Sequence, residues 1–196
     1  LAALVPFGRR AIALARAAIE SGRNTADPRL YGQAEAALAP WWASRSAPTE
    51  VKLLRATIRQ AFHQFDLALA DLDAAIAAEP DNPQARLSRA FIHLATGAPR
   101  KAEQDCAALT GAQLQLLQAI CAGRAEALSG KGQEAADQLI KAIARERRAS
   151  IAMKKFALTV LADIKTGLGD WATTTRYYQQ VIAAGSADVA AVAALA

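Results

Sequence analysis

The sequence predicts an all-α protein, and three observations lead to that prediction. Hydrophobic residues make up 53% of the 196 residues but aromatic residues only 6%, so the apolar fraction is mostly alanine and leucine, which favour closely packed helices. No stretch shows the sustained alternation of β-branched and aromatic residues that is typical of strands. Apolar residues recur instead at helical spacing, as in FDLALADLDAAIAAEPDNP from Phe65 to Pro83, where Pro80 ends the helix.

A small residue recurs along the chain at intervals of about 34 residues. Each copy follows a Gly or another helix breaker by a few residues and opens an amphipathic helix. The recurring positions are Ala34, Ala68, Ala102, Ala135 and Thr174. In the two best copies the agreement extends into the preceding helix, because LLRATI at 53–58 aligns with LSRAFI at 87–92. The period therefore predicts a repeated unit of two helices.

We predict five antiparallel helix pairs that form a single array over residues 1–196. The pairs are expected at about 8–46, 49–81, 82–111, 112–147 and 150–185. Pro40 interrupts the second helix of the first pair, so a kink is expected there. Residues 186–196 are interpreted as the start of a further helix or as a cut end.

The repeated unit resembles the tetratricopeptide repeat. The residues that carry the resemblance are Ala56 and Ala90 in the first helix, Ala68, Leu72 and Ala75 in the second, Gly97 at the turn and Pro80 after AIAAE. The resemblance implies a right-handed α-solenoid, a superhelix whose first helices line the concave side.

Most of the chain, from ESGRNTADPRLYGQAEAALAPWW to DCAAL, also resembles a group of exported bacterial tetratricopeptide proteins. This resemblance implies a periplasmic or exported location, with the cytoplasm as the alternative. No segment contains the roughly 18 uninterrupted apolar residues that a membrane helix needs. The sequence therefore predicts a soluble protein.

Two Arg–Asp pairs recur with the repeat. Arg55 precedes Asp71 by 16 residues, and Arg89 precedes Asp105 by the same interval. Since a turn lies near each midpoint, the two side chains can face each other within one helix hairpin. We expect a bidentate ion pair that fixes each hairpin in register. The alternative is that the arginines line a groove and bind carboxylates of a partner.

Cys106 and Cys121 flank the turn sequence LTGAQ, on two helices that are expected to be antiparallel. Their separation suits a disulfide. The alternative is that both are small buried apolar residues, as is usual in a reducing compartment. The resemblance to exported proteins adds weight to the disulfide, and both interpretations stay open.

Candidate ligand contacts lie on successive first helices at i, i+4 and i+7. They are Leu53, Thr57 and Gln60 on one helix and Leu87, Phe91 and Leu94 on the next. In the fold that the resemblance implies, these faces would line a peptide-binding groove. The alternative is that they are buried against neighbouring helix pairs.

No catalytic, cofactor-binding or metal-binding residue is predicted. His63 occupies a turn position equivalent to Gly97, His93 lies in mid-helix, and neither has a Cys, Asp or Glu at metal-ligand spacing. The GKG sequence at 130–132 follows no strand and is interpreted as an inter-helix turn, not as a phosphate loop. Because no Ser or Cys nucleophile stands beside a base, the chain is predicted not to be an enzyme.

The predicted function is a non-catalytic protein–protein interaction scaffold that binds a peptide or partner domain on its concave face. The alternative is an accessory or regulatory module of a larger envelope assembly or export system, or of an enzyme outside this sequence. The net charge of +5 tolerates an acidic partner. The basic stretch ARERRASIAMKKF is interrupted and poor in aromatic residues, so no nucleic-acid partner is predicted. Membrane insertion is not predicted either, because no apolar segment is long enough.

Overall fold

The chain is helical throughout the part that the structure describes. The structure is a computed structural model that describes residues 4–185, with side chains from residue 8 onward. Within this range there is no strand, and the all-α prediction is confirmed. The helices are α1 (Leu4–Thr25), α2 (Arg29–Ala37), α3 (Thr49–Ala61), α4 (Phe65–Ala78), α5 (Pro83–Ala95), α6 (Pro99–Ala107), α7 (Gln115–Leu128), α8 (Gly132–Arg145), α9 (Ile151–Gly167) and α10 (Trp171–Ala183).

Each of the five predicted ranges contains two of these helices, except that α1 begins earlier, at Leu4. The chain divides into two compact units, which we call unit 1 (residues 1–88) and unit 2 (residues 89–196). The single array over the whole chain therefore stays a prediction. The segment 186–196, interpreted above as a further helix or a cut end, lies outside the described residues.

In unit 1 the helices pack as the pairs α1–α2 and α3–α4, and α3 also packs against α1 and α2. The two recurring alanines of this unit, Ala34 and Ala68, are fully buried, which lets the paired helices approach closely. A buried apolar cluster fills the space between α1, α2 and α3, and its members are Ala15, Ile19, Ala34, Leu38, Ala47, Val51 and Ile58.

A kink was predicted at Pro40, but the structure has the end of a helix there. Helix α2 ends at Ala37, and the chain then enters a short 3-10 helix, Ala39–Trp41, with Pro40 near its start. Proline has no N–H to donate, so it cannot continue the α-helical hydrogen bonds. Trp41 and Trp42 are half-buried and pack against the core of unit 1.

In unit 2 each helix from α6 to α10 packs on the next, and α7 also contacts α9. The recurring small residues Ala102, Ala135 and Thr174 are again buried. The main core lies between α7, α8 and α9 and consists of Leu116, Ile120, Ala135, Ala136, Leu139, Ala157, Val160, Leu161 and Ile164. A smaller cluster of Ala162, Tyr178 and Val181 joins α9 to α10.

The same tight turn separates the two helices of four pairs. A residue with positive φ ends each first helix, and these residues are His63 (φ 56°), Gly97 (74°), Gly130 (88°) and Gly169 (74°). The next N–H donates to the carbonyl five residues earlier at 2.7–3.0 Å, which is the helix-ending arrangement that a left-handed residue permits. Glycine adopts this conformation without strain, whereas His63 does not.

Candidate functional site

The Arg55–Asp71 pair lies buried between α3 and α4 in unit 1. Arg55 Nε donates to Asp71 Oδ2 at 2.8 Å, and Nη2 donates to Oδ1. The two side chains are only 5% and 6% exposed. Because both carboxylate oxygens accept from the same guanidinium, the contact is bidentate and holds the hairpin in register. Arg55 therefore does not offer this edge of its guanidinium to a partner.

The third nitrogen of Arg55 binds the segment that leads into α3. Its Nη1 donates to the carbonyls of Trp41 at 2.6 Å, Trp42 at 2.9 Å and Ser44 at 3.1 Å. The 3-10 helix after α2 places these carbonyls close together. One side chain thus connects α3, α4 and the segment after α2.

Arg59 is a second guanidinium on the same carboxylate, and the sequence analysis did not identify it. Its Nη1 donates to Asp71 Oδ2 at 2.6 Å and to the Leu67 carbonyl at 3.2 Å. The guanidinium carbon lies 5.4 Å from the ring centroid of Trp42, a cation–π contact. The signal in the sequence is its position one helical turn after Arg55, which places both side chains on one face of α3.

The Arg89–Asp105 pair forms the equivalent contact in unit 2. Arg89 Nε donates to Asp105 Oδ2 at 2.8 Å, and Nη2 donates to Oδ1 at 2.6 Å. Asp105 is 2% exposed and Arg89 is 23% exposed. The structure therefore brings together both Arg–Asp pairs that the repeat indicates.

A disulfide joins Cys106 of α6 to Cys121 of α7 in unit 2. Their Cα atoms are 5.4 Å apart, and both residues are buried. Of the two alternatives left open by the sequence, the structure has the bonded one. The crosslink fixes the second helix of one pair to the first helix of the next.

A pocket of about 400 Å³ lies between α1 and α3 in unit 1. The predicted groove residues Leu53 and Thr57 line it, together with Ile19 and Leu54, whereas Gln60 is half-buried outside the lining. Charged residues of both signs also line it: Arg16, Glu20, Arg23 and Glu50. Arg16 and Glu50 form an ion pair across the pocket. The pocket thus combines an apolar surface with a charged rim.

The remaining groove candidates differ in exposure. Leu87 is half-buried in unit 1. Leu94 is only 7% exposed and belongs to the interior. Phe91 is half-buried in unit 2, where its ring centroid lies 5.8 Å from that of Phe156 and the Arg124 guanidinium carbon lies 5.6 Å from the ring. Phe91, Arg124 and Phe156 come from α5, α7 and α9, the first helices of successive pairs.

The cluster around Phe91 continues into a second pocket of unit 2, of about 310 Å³. Arg124 pairs with Asp163 at 3.3 Å, and Asp163 also accepts from the Tyr178 hydroxyl at 2.7 Å. Leu128 and Leu168 line the pocket beside Arg124 and Asp163, with 60% and 43% of their surface exposed. Unit 2 therefore also combines apolar and charged side chains at the first helices.

The part of the chain that the structure describes contains neither a metal-binding cluster nor a membrane-spanning helix. Among the described residues, no group of three or more His, Cys, Asp or Glu side chains converges so that it could bind a metal ion. Within residues 4–185, each helix is too short or too polar to cross a lipid bilayer.

Known structures with the same arrangement of helices are tetratricopeptide repeat proteins. A thermophilic protein of this type from Thermus thermophilus, TTC0263, superposes with a TM-score of 0.70 over 92% of this chain and 96% of its own, at 13% identity. The repeats of a Podosopora anserina putative kinesin light chain give 0.57, with 20% identity over 90% of this chain and 93% of theirs.

A structure of MamA from AMB-1 gives 0.55, with 16% identity over 96% of each chain. No family model matches the chain, and no curated protein matches it in sequence. The chain has the tetratricopeptide repeat fold.

Proposed function

We propose that the chain is a non-catalytic scaffold that binds an extended peptide or a partner domain on the face formed by its first helices, the concave face of a tetratricopeptide array. The pocket between α1 and α3 is the observation that carries this proposal. Leu53 and Leu54 offer an apolar surface to one anchoring side chain of a partner. The charged rim then orients the polar groups around that anchor.

The first helices of unit 2 support the same proposal from separate residues. Leu128 is exposed beside Arg124, whose guanidinium stacks on Phe91 and pairs with Asp163. Exposed apolar side chains next to a charged pair are typical of surfaces that bind other proteins. A scaffold uses many such weak contacts and needs no catalytic group.

The test is to select binding peptides from a displayed random library and to measure their affinity for pocket variants. Thr57→Arg places a long charged side chain in the α1–α3 pocket and is expected to weaken binding by about tenfold or more. Thr175→Arg introduces the same side chain at an exposed position of α10 and is the matched control. The control should bind the peptides like the parent.

Both variants must retain the parent's circular dichroism and melting temperature for the comparison to count. Peptides that bind the Thr57→Arg variant as tightly as the parent would contradict the proposed site. Failure to select any peptide with a Kd below about 1 mM would contradict the scaffold function itself.

An oxidising compartment, such as the bacterial periplasm, is part of the proposal. The disulfide between Cys106 and Cys121 supports it, since structural disulfides persist mainly outside the reducing cytosol. The measurement is the intact mass of the protein from its source cells after alkylation under denaturing conditions. A protein that gains two alkyl groups without prior reduction contradicts this part of the proposal.

A further inference from the structure

A basic pocket of about 440 Å³ lies in unit 1, between α3, α4 and the segment after the 3-10 helix. Lys52, Arg55 and Arg59 line it from α3. These residues follow one another at i, i+3 and i+7, so they share one side of the helix, and Leu53 and Thr57 of the proposed peptide site lie on the other side. The basic pocket is therefore separate from the α1–α3 pocket, and an inference about it does not depend on the proposed function.

Positive charge is in excess in this pocket. Four basic side chains line it, Arg45, Lys52, Arg55 and Arg59, against the single carboxylate of Asp71. Asp71 already accepts two hydrogen bonds from Arg55 and one from Arg59. One carboxylate thus compensates two guanidiniums whose side chains are only 5% and 14% exposed. A buried charge without a counter-charge is unfavourable, so the pocket favours a further anion.

Arg59 also has a donor that the described part of the protein does not satisfy. Its Nε is buried and has no hydrogen-bond acceptor there, although its Nη1 has two. A buried N–H without an acceptor lowers stability, and an acceptor that reaches it recovers the lost hydrogen bond. An anionic oxygen is a stronger acceptor for a guanidinium than a neutral one. The unpaired donor and the charge excess therefore indicate the same kind of ligand.

The rest of the lining limits the shape of that ligand. Leu67, Ala70 and Ala74 of α4 and Trp42 form an apolar wall beside the basic residues. Arg45 is exposed and Lys52 is half-buried, so both can reach a group that enters from solvent. An anionic head with a small non-polar part fits these surroundings.

We propose that this pocket binds an oxyanion, either a carboxylate or a phosphate group, through Arg59, Lys52 and Arg45. Arg55 positions the site, because it holds Asp71 and the carbonyls of Trp41, Trp42 and Ser44. The oxyanion can belong to a small molecule or to an acidic side chain of a peptide. The two sources share their chemistry and are separated by experiment.

The experiment is a titration of the ¹⁵N-labelled protein with three probes: inorganic phosphate, acetate, and a short capped peptide with one glutamate. The Nε–H resonance of Arg59 reports directly on a new acceptor, and calorimetry measures the affinity independently. We expect a saturable shift of this resonance and a Kd that rises with added NaCl, because salt screens the attraction. If phosphate has the lowest Kd of the three probes, the oxyanion belongs to a small molecule. If the peptide has the lowest Kd, the oxyanion belongs to a partner protein.

The variants separate this pocket from general positive charge. Arg45→Gln combined with Lys52→Gln removes two charges from the pocket and is expected to weaken binding by about tenfold. Arg100→Gln combined with Lys101→Gln removes the same charges from the exposed surface of α6 and should leave the Kd unchanged. The hydrogen bonds of the Arg55–Asp71 pair do not involve these four residues, so both variants are expected to fold.

Two results would overturn the proposal. One is the absence of a saturable response to any of the three probes at low salt. The other is an equal loss of affinity in the α6 variant, which would mean that the anions respond only to the net charge of the protein.

Discussion

The two units use the same Arg–Asp pair in different surroundings. In unit 1 the Arg55 side chain is 5% exposed, and Asp71 also accepts from Arg59. In unit 2 the Arg89 side chain, which pairs with Asp105, is 23% exposed. The residue equivalent to Arg59 is His93, 34 positions later. Unit 2 has instead a disulfide at the residue after Asp105.

This difference separates two roles of one recurring pair. The bidentate contact fixes helix register in both units, because its geometry is the same in each. In unit 1 the first helix also carries Arg59, which adds a second positive charge beside the same carboxylate. The repeat therefore supplies the scaffold, and a single substitution within it supplies the excess charge of the proposed anion pocket.

The largest expected effect distinguishes the two carboxylates. Asp71→Asn removes the carboxylate that pairs with two guanidiniums whose side chains are 5% and 14% exposed, whereas Asp105→Asn removes the carboxylate that pairs with Arg89, which is 23% exposed. We expect Asp71→Asn to lower the free energy of unfolding by about 3–5 kcal/mol and Asp105→Asn to lower it by less. Urea denaturation followed by circular dichroism measures both.

Two outcomes would break the comparison between the carboxylates. Equal losses would mean that the additional guanidinium in unit 1 has no energetic effect. A smaller loss for Asp71→Asn would mean that its removal relieves strain instead of exposing unpaired charge.

An Arg89→Met variant should lose stability but retain peptide binding. Normal melting with lost binding would instead favour a groove-lining role for this arginine.

The second prediction concerns the crosslink that only unit 2 has among the described residues. Replacing both Cys106 and Cys121 by alanine removes a bond that closes a loop with a sequence separation of 15. The expected loss in the free energy of unfolding is about 3 kcal/mol. Hydrogen exchange should show it as faster exchange in α6 and α7.

The matched control is treatment with a reducing agent. It should lower the melting temperature of the parent and leave the cysteine-free variant unchanged. If the parent melts at the same temperature with and without the reductant, the disulfide does not contribute to stability in unit 2.

The sequence predicted the helix pairs and the Arg–Asp contacts, which repeat, and missed Arg59, which does not. The helix pairs and both Arg–Asp contacts follow from the period of about 34 residues, because equal spacing implies equal geometry. Arg59 has no equivalent arginine in the next copy, so comparison of the repeats could not identify it. The carbonyls that Arg55 binds depend on the path of the chain after α2, where Pro40 ends the helix instead of bending it.

The groove residues show a second limit of sequence reasoning. Spacing places Leu53 and Thr57 on one side of a helix and Phe91 and Leu94 on one side of the next. Burial distinguishes them, because Leu94 is enclosed while Leu53 and Thr57 line a pocket. Which residues stay accessible depends on tertiary packing, and the period of the sequence does not contain that information.

The third prediction compares equivalent turns in the two units. Gly97 has open space around the position of a Cβ atom, so Gly97→Ala adds only the strain of a positive φ. We expect it to cost about 1 kcal/mol. His63 already has that strain, and His63→Gly should gain about 0.5 kcal/mol, since loss of its edge contact with Phe65 offsets part of the relief.

Thermal melting of the two turn variants provides the check. A His63→Gly variant that is less stable than the parent would show that the ring contact outweighs the backbone strain. In that case the turns of the two units are not equivalent.

The smallest expected effect compares the residues that precede the second helices. Asp170 caps α10, because its carboxylate accepts from the Thr173 N–H at 3.2 Å, whereas Gln64 before α4 provides no side-chain cap. Hydrogen bonds from the Thr173 side chain and backbone lower the pKa of Asp170, and nearby Lys165 and Arg176 add to this. A lowered pKa stabilises the folded state above the ordinary carboxyl range, and this contribution is lost as the pH falls through the lowered value.

The Thr173 amide signal should therefore shift on acidification at a pH below the usual aspartate midpoint. Asp170→Asn, which keeps an acceptor but cannot titrate, should abolish that step. A midpoint at or above the usual value would mean that Asp170 does not cap α10, and the starts of α4 and α10 would then be alike.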